Sequence, residues 1–515
     1  MKNKSRFFEF LTLFMMSVGT IVGSGIYVKN RDILIETHNP IIAIVLWTAV
    51  GISCIAVVYL FLEISSSTEN GTIGSWSRAF FGHKVGSFFA NFQTMFYAPV
   101  NQAIFTSALL AYFLNVFDLK LYGYQYLLIF LLVGAVIILL TNILNVFSIK
   151  GSKAIQIFGT GFKFFPLIIA LIAGFILADH FGALQNNGVD VRGITDSSKQ
   201  WSRTDFDPLL FFRGFGGILF AFDGFIYICN SKKRAKHADF VPIALVSAMA
   251  FAAVFYLIMS LSLILGSPDG SIEQLLERVF NNGQPLKNQV NHTVKVMAAI
   301  ISMIICFLGL NAYSYIGMAG LESDVIDKLS YVKSVDDKHR FKKIGLIQGV
   351  ISYAIFAIFI IVGASSSISL NKQINVIEAT DSASGMLYLI QIMSSTCSCL
   401  SFAMMASLII AALINRKTNK VEVKKIKGFV PLAIFGLITF IFFSLMGLFT
   451  FIVPLDVIRS GHSWWKVQHS QGPLFLLLMV FGLIFVAILW YNQNKRLIGG
   501  LCLKNDSLQQ KTRTR

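Results

Sequence analysis

The residues Val18-Gly19-Thr20-Ile21-Val22-Gly23-Ser24-Gly25-Ile26-Tyr27 set three glycines and a serine inside an apolar run long enough to cross a bilayer. A helix broken there frees C=O groups at the end of one half and N–H groups at the start of the other. Together those groups suit a small ligand that carries both a negative and a positive end, because anions favour helix N-termini and cations favour C-termini. Glycine lets the ligand approach the backbone closely. A second interruption, Gly214-Phe215-Gly216-Gly217-Ile218-Leu219-Phe220-Ala221-Phe222-Asp223-Gly224-Phe225, adds an ionisable Asp223 near the middle of another apolar run. A third candidate is Lys163, within Gly159-Thr160-Gly161-Phe162-Lys163-Phe164-Phe165-Pro166, where an ammonium is costly unless it finds carbonyls or a carboxylate, or snorkels to an interface. Arg213, near one end of the sixth run, is open to either reading.

The elements that must position these groups are membrane helices. The 515 residues are 55% hydrophobic and 13% charged, with a mean hydropathy of +0.69. Twelve spans can be drawn, over 9–35, 40–64, 85–116, 124–147, 152–180, 207–230, 241–266, 292–322, 341–366, 383–414, 428–454 and 472–493. No polar linker divides them, so 1–515 reads as one all-α integral membrane domain. Lys2, Lys4 and Arg6 precede the first run, but Glu9 and the lack of a small-residue cleavage site argue for a retained helix rather than a removable leader. Lys and Arg concentrate on alternate loops, which places both termini in the cytoplasm of a multi-pass cell-membrane protein. A tag at residue 515 and one within 416–427 are therefore expected on the cytoplasmic side, and one within 186–202 outside. Protease protection of the last two on the same side would overturn this topology.

The same asymmetry accounts for the net charge of +17 without nucleic acid, since the clusters Lys232-Lys233-Arg234-Ala235-Lys236 and Arg416 to Lys427 fall where cytoplasmic loops should. Cys54, Cys229, Cys306, Cys397 and Cys399 lie in spans and Cys502 in the tail, as buried small residues rather than external bridges. No metal-ligand spacing, nucleophile elbow or phosphate loop is present, so neither a metal nor a cofactor is expected.

Two breaks at matched positions, five spans apart, imply an inverted 5+5 repeat with its site between the broken first and sixth helices. The halves are 9–180 and 207–414, followed by two extra helices over 428–493 and a cytoplasmic tail over 494–515. At this point the sequence resembles the amino acid permeases of the amino acid-polyamine-organocation superfamily, which have the LeuT-type fold. Gly23-Ser24-Gly25-Ile26-Tyr27 is similar to the family's GSGIF signature. The stretch from Tyr59 through Glu63 to Gly71-Thr72-Ile73-Gly74-Ser75-Trp76-Ser77-Arg78-Ala79-Phe80-Phe81-Gly82 is similar to its second-span ending and following loop. Phe220-Ala221-Phe222-Asp223-Gly224-Phe225 resembles the F-A-Y-D-G-W of one branch, and Lys163 with Pro166 gives a weaker match.

The resemblance implies a secondary amino acid transporter, an uptake symporter or an antiporter, proton-linked and working by alternating access. It also implies the site roles. The Ser24 and Gly25 amides, with the Ser24 hydroxyl, would hold the substrate carboxylate, the carbonyls of Ile21, Phe220 and Asp223 would hold its ammonium, and Gly23 and Gly224 would complete the binding site. Phe220 would close the site from outside, Lys163 would act as a tethered cation, and Glu63 would be solvated or part of a gate network. Asp223 could attract a cationic substrate or brace the unwound backbone. The basic segment Ser231 to Pro242 departs from the family's acidic loop, and Ile316 to Asp324 only loosely follows its eighth-span ending. Phe117 to Tyr124 lacks a cysteine, so no disulfide-linked accessory subunit is expected. The alternatives are a polyamine or other organic-cation carrier and, outside transport, a polytopic membrane enzyme or sensor.

Overall fold

The computed structural model describes residues 2–22, 24–37, 40–69, 71–117, 123–181, 208–225, 240–267, 270–280, 292–333, 337–370, 379–453 and 472–513. Gly23, most of the basic segment 231–242, Cys229 and the segment 186–202 lie outside them. All regular structure among the described residues is helical. That is the outcome the bilayer dictates, because a helix satisfies its backbone groups within one segment.

Helix α1 (Lys2–Ile21) ends at the first glycine break, and α2 (Ser24–Thr37) resumes beyond it. Helix α3 (Pro40–Ile64) starts on a proline, whose missing N–H costs nothing in a first turn. Helix α4 (Ile73–Phe81) is capped by the Thr72 hydroxyl, which accepts from the Ser75 amide at 3.0 Å, and it stops at Gly82 with φ +89°. Then come α5 (His83–Phe92), one turn of π-helix over Gln93–Tyr97, and α6 (Ala98–Val116). The first half closes with α7 (Gly123–Phe147) and α8 (Ile149–Phe181).

The second half runs through α9 (Pro208–Phe222), α10 (Phe240–Gly266), a short α11 (Ile272–Phe280), α12 (His292–Ile326), α13 (Asp337–Leu370) and α14 (Ala379–Thr418). It is followed by α15 (Phe429–Ile452) and α16 (Gly472–Arg513). Helix α2 packs on α9, α3 on α10, α6 on α12 and α7 on α13. Each of these first-half helices thus meets the helix that holds the equivalent place in the second half.

Nine helices among the described residues are long and apolar enough to cross a membrane. The first, third and sixth drawn spans are interrupted instead: by the break after Ile21, by the π turn and the buried polar Asn101, Gln102, Thr106 and Ser107, and by the end of α9 at Phe222. The outward faces are greasy. On α7, Leu128, Leu132, Val136, Leu140, Ile143 and Phe147 recur every three or four residues and are all exposed. In water such a stripe would drive aggregation, whereas in hydrocarbon it is the ordinary lipid-facing surface. Cys54, Cys306, Cys397 and Cys399 are buried thiols.

Candidate functional site

The two breaks meet. A Cβ added to Gly25 would lie 2.5 Å from the Cα and 2.7 Å from the Cβ of Ala221, so the start of α2 touches the last turn of α9 with no atom to spare. The glycine thus serves helix contact as well as any ligand approach. Overpacking of this kind typically costs about 1–3 kcal/mol, and here a backbone atom must move. Gly25→Ala should therefore lower both the melting temperature in detergent and transport, and a variant that melts like the parent would remove this contact from the account.

At the second break α9 ends because Gly224 takes φ +87°, a left-handed conformation that other residues resist. The Asp223 amide donates back to the Phe220 carbonyl at 3.2 Å to close the turn. The Asp223 carboxylate, 2% exposed, then accepts three hydrogen bonds. They come from the Tyr97 hydroxyl at 2.5 Å, the Ser398 hydroxyl at 2.6 Å and the Gly224 amide at 2.7 Å. Tyr97 closes the π turn ahead of α6, and Ser398 lies on α14. One carboxylate therefore ties the sixth-span break to two other helices.

Tyr256 of α10 spans the breaks from behind. Its hydroxyl lies 2.5 Å from the Ile21 carbonyl and 3.1 Å from the Ala221 carbonyl, the acceptors released where α1 and α9 end. Lys163 of α8 is fully buried, and its ammonium donates to the Gly19 carbonyl in the last turn of α1. Thr160, one turn earlier, fills the space beside Gly19. Snorkelling is therefore not how this lysine is accommodated, since a carbonyl at the break receives it.

Gly19, Ile21, Gly25, Lys163, Phe220, Ala221 and Asp223 line one cavity, whose far wall is Phe105 of α6 with Ile305, Gly309, Ala312 and Tyr313 of α12. Phe105 stacks on Tyr313 with ring centroids 5.5 Å apart. The cavity is polar where the backbone is broken and apolar opposite. The Lys29 ammonium lies 5.6 Å from the centroid of Phe220, which places a buried cation behind the ring proposed as the lid.

Of the residues singled out from sequence, Ile21, Gly25, Phe220, Asp223 and Lys163 share this cavity, and Gly224 follows at the turn. Gly23 lies outside the described residues; the backbone of Ser24 opens α2, but its side chain and that of Arg213 are not described. Glu63 lies elsewhere and is not solvated. It is 1% exposed and paired with Arg416 of α14, through a 3.0 Å bond from Nε and a second from the guanidinium, and it accepts from the Ile426 amide at 2.9 Å. Arg416 also covers the Phe429 ring at 4.7 Å. This junction pins α3, α14 and the segment before α15 together. Tyr97, Tyr256, Tyr313 and Ser398 were not anticipated from sequence. Their signal was polar atoms in apolar spans, which many structural residues share. No group of three metal-ligating side chains occurs among the described residues.

A family model described as amino acid permease matches residues 8–491. A Mycoplasma pneumoniae protein described as uncharacterized is 23% identical over 565 residues, which cover 99% of this chain and 98% of that one. The cystine/glutamate transporters of Homo sapiens and Pongo abelii are each 22% identical over 247 residues, about half of either length, at 48% of this chain and 47% of the relative. Among solved structures, the crystal structure of MhsT in complex with L-phenylalanine superimposes with a TM-score of 0.51 at 12% identity, covering 85% of this chain and 98% of that one.

Proposed function

The chain belongs to the amino acid permease family, and on that premise we propose that this secondary amino acid transporter carries a neutral amino acid in the cavity between its two breaks, by proton-linked alternating access. The substrate carboxylate sits at the Ser24 and Gly25 amides and the Ser24 hydroxyl, where the N-terminus of α2 supplies unpaired donors. The ammonium faces the carbonyls of Ile21, Phe220 and Asp223; those of Ile21 and Phe220 each have a second lone pair besides the one their protein donor uses. Phe220 covers the bound molecule. Lys163 couples the proton to transport by holding or releasing the end of α1.

The observation that carries the choice of a neutral side chain is the state of Asp223. Three protein donors already use its carboxylate, while Phe105, Ile305, Gly309, Ala312 and Tyr313 offer the side chain an apolar wall. A neutral substrate also agrees with the L-phenylalanine bound by MhsT, a protein of related fold. A cationic amino acid, a polyamine or another organic cation would find only one of about four lone-pair positions on Asp223 left to it.

The experiment is uptake and counterflow of labelled amino acids into liposomes holding the purified protein, with a panel of unlabelled competitors and no nucleotide. Competition by apolar amino acids, and accumulation driven by an inward proton gradient, are the expected results. Competition by lysine, arginine or polyamines alone would overturn the neutral reading, and accumulation indifferent to the proton gradient would overturn the coupling.

A further inference from the structure

The C-terminal end of α12 meets the cap of α4 through four oxygen atoms in a row. The Asp324 Oδ1 lies 3.0 Å from the Thr72 hydroxyl, Thr72 lies 2.5 Å from the Ser75 hydroxyl, and Ser75 lies 2.8 Å from the Asp327 Oδ2. Three oxygen–oxygen contacts at these distances need three protons, and the two hydroxyls supply two. With both carboxylates ionised, each hydroxyl turns its proton outward to an aspartate, and Thr72 and Ser75 are left face to face at 2.5 Å with no proton between them. The row is complete only when one carboxyl group is an acid.

Burial decides which one. Asp324 is fully buried and its Oδ2 has no hydrogen-bond partner, while Asp327 is half-buried at the face that the distribution of basic loops assigns to the cytoplasm. Three basic groups on the surrounding elements are engaged elsewhere. Arg78 of α4 donates to the Asp327 carbonyl at 2.6 Å, His83 of α5 lies 2.9 Å from the Lys328 carbonyl, and Lys343 of α13 donates to the Lys333 carbonyl at 2.9 Å. On the same stretch of chain, Asp327 brings a second carboxylate close to Asp324. Among the described residues no cation reaches the Asp324 carboxyl, and an unpaired charge buried that deeply is expensive.

We propose that Asp324 holds a proton which Thr72 and Ser75 relay to Asp327, making this junction a cytoplasmic proton-binding site of the transporter. The acid form of Asp324 donates to Thr72, Thr72 to Ser75, and Ser75 to Asp327. Transfer runs by each hydroxyl passing its own proton on as it takes the next, so Asp324 ends as a carboxylate and Asp327 as the acid, which then loses one proton to water. Nothing else is consumed. Ser75 then turns its proton back to the Asp327 carboxylate, the contact at 2.5 Å is left without a proton, and α4 loosens from the end of α12. The closed junction binds the proton more tightly than the loosened one, so a rise in internal pH favours opening toward the cytoplasm. This rests on the proton-linked reading above.

The test uses full-length protein in liposomes. In the parent, exchange should rise at least about fivefold from mildly acidic to mildly alkaline internal pH, and infrared difference spectra should show a protonated carboxylic acid lost over the same range. In Asp324→Asn the amide supplies the missing hydrogen permanently. The infrared band should vanish, and the exchange that remains should vary by less than about twofold. Thr72→Val should keep the acid band but slow its response to a pH jump, which decides the matter even if Asp324→Asn fails to fold. A band and a pH dependence that persist in Asp324→Asn would overturn the proposal while leaving proton linkage standing. A parent protein that moves no protons with its substrate would overturn both.

Discussion

Replacing Asp223 with asparagine should slow transport of neutral and cationic amino acids in parallel, by at least about tenfold, the equivalent of about 1.4 kcal/mol. The reason is the occupancy of its carboxylate. Of about four lone-pair positions on such a group, three already receive protein donors from Tyr97, Ser398 and Gly224. Hydrogen bonds to a buried charge contribute about 1.5–3 kcal/mol each, and asparagine turns an NH2 toward at least one hydroxyl that had been donating. The ties from the break to α6 and α14 would weaken together. The cavity would then lose its shape before any preference for substrate charge came into play. Competition by a small neutral amino acid and by lysine, measured on the same preparation, checks this. Selective loss of lysine competition would mean that the carboxylate faces the substrate side chain, and the cationic alternative would replace the neutral one.

The breaks themselves were legible, because a bilayer penalises glycine clusters and ionisable groups in mid-span so heavily that few places can hold them. Gly19, Gly25, Asp223 and Gly224 announce where the backbone opens. The groups that complete the site were not legible. Tyr97 comes to Asp223 from 126 positions earlier in the chain, and Ser398 from 175 positions later. Nothing in a helical repeat predicts the π turn over Gln93–Tyr97, which adds a residue to the turn and shifts the faces that follow it. Tyr256 was hidden for a different reason. A tyrosine in a span reads as core, and only the closeness of Ile21 and Ala221 shows that one hydroxyl serves both breaks.

Glu63 shows the opposite limit. At the end of an apolar span it looks solvated, yet Arg416, which the sequence places at the edge of a basic loop, pairs with it from the last turn of α14, and it is buried. A loop's basic character did not foretell the partner of a single residue within it. Helix pairing was partly legible, since matched breaks imply two matched halves. Which helices touch follows from packing that periodicity does not encode.

The second large effect should come from Lys163. Lys163→Met keeps most of the side chain's volume and removes its charge, and it is expected to abolish accumulation driven by a proton gradient while counterflow of labelled amino acid survives. The geometry gives the reason. The ammonium is buried and donates to the Gly19 carbonyl, one turn before the break at which Ile21 lines the cavity, so its proton inventory bears directly on how firmly the end of α1 is held to α8. Without an ammonium the Gly19 carbonyl loses a charge-assisted partner, worth about 1.5–3 kcal/mol, and the state with α1 held no longer depends on protonation. Substrate can still cross, but no proton held at Lys163 ties its passage to the gradient. Lys163→Ala should do the same with an added loss of stability of about 2–5 kcal/mol, because it also leaves a void. Comparing the two variants separates charge from volume. Accumulation that persists in Lys163→Met but fails in Lys163→Ala would make the lysine a spacer between α8 and α1, and proton coupling would then have to reside in another group.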